Sequence, residues 1–103
     1  VWGRGVEVST PNIDSLATDG AIFSNFNVVA PLCTPSRGSF MTGLYPSFTG
    51  AVKNHQAMND NAVTFAEILK KNAGYYTGYI GKWHLNGMEK PGFSNEERRF
   101  GFD

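Results

Sequence analysis

The sequence predicts an α/β protein with a largely parallel sheet flanked by helices, built as one region over residues 1–103. Segments with helical periodicity alternate with short runs rich in aromatic and β-branched residues, and the loops between them are short. No internal repeat or low-complexity tract divides the chain. Because ligands of such sheets bind beyond the carboxyl ends of the strands, function is expected in the segments that follow the predicted strands.

The first predicted helix lies in "STPNIDSLATDG" and is followed by a strand. Thr10 can cap the helix, Pro11 suits its first position, and Gly20 can end it in a left-handed turn. The next segment, "AIFSNFNVVA" at 21–30, is rich in Phe and Val, which predicts a buried strand.

The second predicted helix is short and spans Pro35–Thr42. Thr34 can cap it, Pro35 takes the first helical position, and Gly43 closes it. Cys33, the only cysteine of the chain, would then stand just outside a helix N-terminus.

The third predicted helix, in "VTFAEILKKNAG", has the strongest local signals. Thr64 and Glu67 form a capping box, and Val63 and Ile68 form the hydrophobic staple around it. Gly74 is expected to end the helix in a left-handed conformation.

The remaining segments connect these elements. Residues 44–61 are polar without a clear period and predict a loop, whereas "YYTGYI" at 75–80 predicts a second strand. A glycine-flanked turn, "GKWHLNG", follows at 81–87, and the tail at 88–103 is irregular.

The charge balance narrows the class of partner. Nine basic and nine acidic side chains give a formal net charge of zero, which argues against a broad nucleic-acid surface. No stretch approaches the roughly 20 apolar residues of a membrane span, and the N-terminus does not resemble a signal peptide. Any anion site must therefore be built from a few placed residues.

Two polar segments immediately follow the predicted strands and could meet at one edge of the sheet. Cys33 and Arg37 belong to the first, and Lys82 and His84 to the second. A helix N-terminus and a guanidinium both suit an oxyanion, an ammonium adds a compact charge, and an imidazole can move a proton. Together they describe a site for a tetrahedral oxyanion ester, either sulfate or phosphate.

Each of these residues also has a structural explanation. A lone cysteine is more often a small buried hydrophobe than a nucleophile. Arg37 and Lys82 could be solvated surface charges, and His84 could be a satisfied structural histidine. His55, in the polar loop, is interpreted as exposed and receives no role. Spacing and composition alone leave both explanations open.

The sequence resembles the type I sulfatase family at two signatures. The first, Cys-x-Pro-Ser-Arg followed by Thr-Gly, is filled at every fixed position by Cys33, Pro35, Ser36, Arg37, Thr42 and Gly43. The second, Gly-Tyr-x-Thr-x-x-x-Gly-Lys-x-His, is filled completely from Gly74 to His84. "TPNIDSLATDGAIFSN" and the closing "GFD" are also similar to the family's N-terminal region, so the resemblance covers nearly the whole chain.

The resemblance implies an alkaline phosphatase-like fold and a specific chemistry. A maturation enzyme would read the Cys33–Arg37 segment and oxidise Cys33 to formylglycine. One hydroxyl of the hydrated aldehyde attacks sulfur in the family, and the second hydroxyl then expels sulfate. Arg37 would support the formylglycine, while Lys82 and His84 would contact the substrate sulfate and the nucleophile. A divalent cation, usually calcium with magnesium or manganese as alternatives, would bind the modified Cys33 and polarise the sulfate.

The resemblance also predicts that the chain is an N-terminal portion of a longer catalytic domain. The family's paired aspartates lie on a first strand that would precede Val1, and no Asp-Asp occurs in this chain. The remaining cation ligands would follow Asp103. We therefore expect the 103 residues alone to be inactive, and family resemblance implies a periplasmic, secreted or lysosomal location.

Three other functions compete with a sulfatase acting on aryl sulfates or sulfated carbohydrates. A phosphonate or phosphate monoester hydrolase of the same superfamily shares the formylglycine motif. A non-catalytic fragment or degenerate homologue would only bind anions or a partner. An ordinary thiol protein is the third, and the double signature argues against it.

Overall fold

The computed structural model describes residues 8–87 and 98–103. This part of the chain contains four helices, α1 (Pro11–Asp19), α2 (Cys33–Thr42), α3 (Pro46–Thr49) and α4 (Phe65–Ala73). Within these described ranges, no helix is long and apolar enough to cross a bilayer. Most of the predicted irregular tail, up to residue 97, and the first seven residues lie outside the described ranges.

Helix α1 is confirmed, but its two ends differ from the prediction. Thr10 is the N-cap residue, yet its hydroxyl donates to the Asp14 carboxylate at 3.2 Å instead of capping the backbone. Gly20 has a φ of −132°, so the predicted left-handed end is wrong. Its apolar residues Ile13 and Leu16, three positions apart in sequence, are both exposed in the described structure.

Helix α2 begins two residues earlier than predicted. Cys33 is its first residue and the extended Leu32 is its N-cap, because the Ser36 amide already donates to the Leu32 carbonyl at 3.0 Å. Proline is tolerated throughout the first turn, where amides have no intrahelical partner, so Pro35 does not mark the start. The predicted left-handed closure at Gly43 is confirmed, with a φ of 72°.

Helix α3 was not predicted, because its four residues are too short to show a period. Pro46 occupies its first turn, and Gly50 ends it at a φ of 77°. Its local signal was this proline-to-glycine spacing. The predicted loop over 44–61 is therefore wrong at 46–49, and α3 packs against α2.

Helix α4 has the predicted start and end. The Thr64 hydroxyl accepts a hydrogen bond from the Glu67 amide at 3.3 Å, which is the first half of the capping box. The Glu67 carboxylate instead contacts Lys71 one turn further on. Gly74 closes the helix with a φ of 65°, and its amide donates to the last carbonyls of the helix.

Neither predicted strand is paired in the described residues. Residues 21–30 and 75–80 contain no strand. Within the described ranges, β-pairing is limited to one antiparallel bridge between Ala57 and Asn86. A strand needs a neighbour to take up its backbone donors and acceptors. The parallel sheet therefore stays a prediction.

A small core joins α2, α4 and the second signature. Trp83 is nearly fully buried and stacks edge-on against both Tyr79 and Phe102, which ties the signature to the end of the chain. The buried apolar residues of this core are Met41, Ala51, Met58, Ala66, Trp83, Leu85, Phe100 and Phe102.

Residues 100–103, which we call the closing turn, hold Thr77 of the second signature in place. The Thr77 amide donates to the Asp103 carboxylate at 2.9 Å, and its hydroxyl donates to the Gly101 carbonyl at 2.6 Å. The Asp103 amide returns a bond to the Thr77 carbonyl at 2.8 Å, and Lys70 of α4 pairs with the Asp103 side chain. The "GFD" sequence therefore stabilises the backbone of the second signature.

We expect Gly101→Ala to destabilise the protein by about 3 kcal/mol or more. Gly101 has a φ of 88°, and a Cβ there would overlap the backbone of Glu67 in α4. Gly74→Ala is the matched control, because Gly74 has a similar φ with open space around it. That control should cost only about 1 kcal/mol for the left-handed backbone. Urea denaturation followed by circular dichroism would measure both, and equal losses would contradict the steric argument.

Candidate active site

The start of α2 and the second signature form the two walls of one shallow cleft. Its volume is about 420 Å³. Cys33 is exposed in it at the first position of α2, and Arg37 stands one turn further along the same helix. Lys82 faces them from the other wall, so three of the four predicted site residues meet here. The complete lining is Val28, Ala30, Pro31, Leu32, Cys33, Ser36, Arg37 and Lys82.

Arg37 fixes the backbone that carries Lys82. Its Nη1 donates to the Lys82 carbonyl at 2.6 Å and to the Tyr79 hydroxyl at 3.3 Å. The Tyr79 hydroxyl itself donates to the same Lys82 carbonyl at 2.5 Å. Two donors on one carbonyl hold the main chain of Lys82, an exposed residue that lines the cleft. Tyr79 was not singled out from the sequence, because an aromatic residue in a predicted strand reads as core.

The positive charge of the cleft comes mainly from side chains. The Thr34 amide donates to Asn54 Oδ1 at 3.0 Å, and Pro35 has no amide hydrogen. The helix N-terminus therefore offers fewer free amides than the sequence predicted, and Arg37 and Lys82 supply the charge that an oxyanion would meet. Asn54 caps the helix from a distant loop, so no local spacing could have revealed it.

We expect Asn54→Ala to destabilise the protein by about 1–2 kcal/mol, because it leaves the amide of the buried Thr34 unpaired. Asn54→Asp is the matched control, because it keeps an acceptor oxygen and adds a charge that the helix N-terminus favours. Comparing the urea midpoints of the two variants at equal m-value would test the cap. A loss in Asn54→Asp as large as in Asn54→Ala would contradict it.

His84 stands next to the cleft and does not line it. Its carbonyl accepts a hydrogen bond from the hydroxyl of the buried Thr34 at 3.1 Å, which links the second signature to the residue after Cys33. Its Nδ1 is buried and has no hydrogen-bond partner within the described residues, so the interpretation of His84 as a satisfied structural histidine is wrong.

The surroundings of His84 favour the neutral imidazole. Burial lowers the pKa of His84 most. The neighbouring positive groups Lys82, His55 and Arg37 lower it further. The ring is therefore neutral at pH 7, and the stability that its burial contributes is lost as pH falls from 6.5 through the lowered pKa.

His55, for which no role was predicted, contacts the ring of His84. Nε2 of His84 lies 3.4 Å from Nδ1 of His55, and the ring centroids are 5.1 Å apart. His55 is exposed, as predicted, but it is not isolated. Its place in an unpatterned polar loop hid this contact from sequence analysis.

The described residues do not by themselves build a cation site. Across residues 8–87 and 98–103, no group of three or more His, Cys, Asp or Glu side chains could hold a metal ion. Cys33 is a cation ligand only by the family motif and only in its modified form. No step of a reaction is therefore derived through a metal here.

The comparisons agree with both signatures. The sequence profile of the Sulfatase family matches residues 3–103. The chain is 44% identical over 96 residues to the ulvan-active sulfatase of Formosa agariphila, covering 93% of the chain and 19% of that protein. It is 39% identical over 107 residues to the steryl-sulfatase of Rattus norvegicus, covering 91% of the chain and 18% of that protein.

A solved structure agrees as well. A protein of Bacteroides thetaiotaomicron, described in work on the metabolism of multiple glycosaminoglycans, superposes with a TM-score of 0.81 at 29% identity. The match covers 96% of this chain and 25% of that one, and it supports the alkaline phosphatase-like fold that sulfatases share. The chain spans about a fifth of the length of the curated relatives it matches. With a family profile over nearly its whole length and relatives well above 30% identity, this chain belongs to the sulfatase family.

Proposed function

We propose that the protein hydrolyses sulfate esters through a formylglycine made from Cys33. The observation that carries this proposal is the shared cleft, which the exposed Cys33 lines together with Arg37 and Lys82. An exposed side chain in the same cleft as two cationic residues suits a nucleophile that must approach an anionic ester. Membership of the sulfatase family supports the same reaction class.

Each residue then has a distinct role. The hydrated formylglycine supplies the hydroxyl that attacks sulfur. Lys82 binds the sulfate and stabilises the charge that develops on its oxygens, because its side chain is exposed at the cleft while its backbone is held. Arg37 keeps that backbone in place and adds positive charge beside Cys33. His84 stands next to the cleft, and by the family motif we expect it to contact the sulfate and the nucleophile and to accept or return a proton.

The wider properties are proposals of the same kind. We propose that residues 1–103 are the N-terminal portion of a longer catalytic domain, supported by the roughly one-fifth coverage of its relatives. The cofactor would be calcium, with magnesium or manganese as alternatives, and the partner would be a formylglycine-generating maturation enzyme. The substrate is an aryl sulfate or a sulfated carbohydrate, and the location is periplasmic, secreted or lysosomal.

The test uses the full-length protein made together with a maturation enzyme. Mass spectrometry of the peptide that carries Cys33 should show the aldehyde. An unmodified thiol would contradict the proposed mechanism. Paired aryl sulfate and aryl phosphonate esters then separate this function from that of a phosphonate hydrolase. Faster turnover of the sulfate is expected, and preference for the phosphonate would favour the alternative.

A further inference from the structure

The loop that carries His55 is held to the site at two points. Asn54 caps α2 through the Thr34 amide at 3.0 Å, and the Met58 amide donates to the Leu85 carbonyl at 2.9 Å. Arg98 reinforces the second fastening, because its Nη2 donates to the carbonyls of both Met58 and Leu85. His55 is thus held against the second signature by groups on both sides of it in sequence.

Both histidines of the chain have left-handed backbone conformations. The φ of His55 is 67° and that of His84 is 60°. A non-glycine residue in this region is uncommon and costs energy, so it persists where surrounding contacts fix it. Such strain often marks functional sites. The two strained residues are also in contact, with 3.4 Å between Nε2 of His84 and Nδ1 of His55. We infer that the surrounding structure stabilises this contact.

The buried side of His84 decides which ring nitrogen carries its proton. A neutral imidazole has one N–H and one lone pair. An orphaned buried N–H is rarer and more costly than an unpaired buried acceptor. Since Nδ1 of His84 is the buried nitrogen that has no partner in the described residues, the lone pair belongs there. The proton then lies on Nε2, which is the nitrogen that faces His55.

We propose that His55 is a positioning residue for His84: its Nδ1 accepts the Nε2 proton of His84 and so fixes the ring, its tautomer and its neutral state. This role rests on the proposed function, whereas the tautomer itself does not.

The groups that face His84 agree with a neutral ring. They are Lys82 and Arg37 at the cleft and His55 from the loop, and all three are basic. A second proton on His84 would be disfavoured by partial burial and by repulsion from these positive groups. The hydrogen bond from His84 to His55 also needs an unprotonated ring nitrogen on His55 as its acceptor. These surroundings therefore favour a neutral His84 ring.

The tautomer can be read directly in the full-length protein labelled with ¹⁵N-histidine. Nitrogen chemical shifts near pH 7.5 should show His84 protonated on Nε2, with the His84→Gln spectrum identifying its signals. A proton on Nδ1 of His84 would overturn the proposal. This measurement needs no turnover, so it decides the role of His55 even if the protein proves inactive on sulfate esters.

Two variants of His55 separate the ring contact from the strained backbone. His55→Gly tolerates a φ of 67° and removes the acceptor, whereas His55→Asn tolerates the same backbone and keeps an oxygen near the Nδ1 position. His55→Gly should lower kcat about tenfold with KM changed less than twofold, mix the His84 tautomers, and move the acid limb of the pH–kcat profile. His55→Asn should retain most of kcat and the Nε2 tautomer.

The outcomes distinguish the two proposals. A His55→Gly protein with wild-type kcat and an unchanged His84 tautomer would reject the positioning role while leaving sulfate hydrolysis intact. A protein without turnover but with the expected tautomer, lost in His55→Gly and kept in His55→Asn, would reject the proposed function and keep the contact between the histidines.

Discussion

Cys33→Ala in the full-length, matured protein is expected to abolish turnover of an aryl sulfate. Alanine cannot be oxidised to an aldehyde, so no hydroxyl is available at the start of α2 to attack sulfur. Because the Cys33 side chain is exposed and makes no core contact, the substitution should leave the fold intact. Initial-rate assays with and without the substitution would measure the effect.

The control for Cys33→Ala is its thermal unfolding midpoint, which should equal that of the unchanged protein. Cys33→Ser is informative where the maturation enzyme cannot use serine, since a single hydroxyl cannot regenerate the aldehyde. Turnover retained in Cys33→Ala, at unchanged stability, would mean that another group is the nucleophile.

Lys82→Ala is expected to lower kcat/KM by about 100-fold or more, by analogy with the loss of an oxyanion donor. The expectation is sharp because the substitution leaves the Lys82 carbonyl in place. Arg37 and Tyr79 bind that carbonyl and not the side chain, so the local backbone should persist. The loss would then report the ammonium alone, in a cleft where it faces Cys33.

Lys71→Ala provides the matched control for Lys82→Ala. Lys71 lies on α4 and pairs with Glu67 at the surface, where such a pair contributes little. Its removal should change kcat/KM less than twofold. An equal rate in Lys82→Ala and the unchanged protein would return Lys82 to the class of solvated surface charges.

The local elements could be predicted where the signal is local. Thr64 and Gly74 mark the ends of α4 within a few residues of sequence, and the structure confirms both. Gly43 ends α2 for the same reason. The start of α2 was misplaced because proline fits several positions in a first turn, so Pro35 carries less information than its preference for the first position suggests.

The residues of the site could be predicted from the sequence, but the hydrogen bonds between them could not. Arg37 and Lys82 are fixed positions of the two signatures, so their identity pointed to the site. The hydrogen bond between them joins residues 45 positions apart, which no local pattern reveals. Asn54 and His55 contact residues 20 and 29 positions away, and both lie in a loop without periodicity. The predicted strands have a different difficulty, because a strand is defined by a neighbouring chain segment and composition alone does not supply one.

The hydrogen bond from the Thr34 hydroxyl to the His84 carbonyl joins residues 50 positions apart. Closing a loop of that length costs conformational entropy that is repaid only when both ends are already arranged, so such contacts form late in folding. We therefore expect the cleft to assemble after α2 and α4 have formed. The recovery of activity during refolding would then report the rate of this last step. A substitution that slows the docking of the two segments would delay assembly of the active site even where the helices form normally.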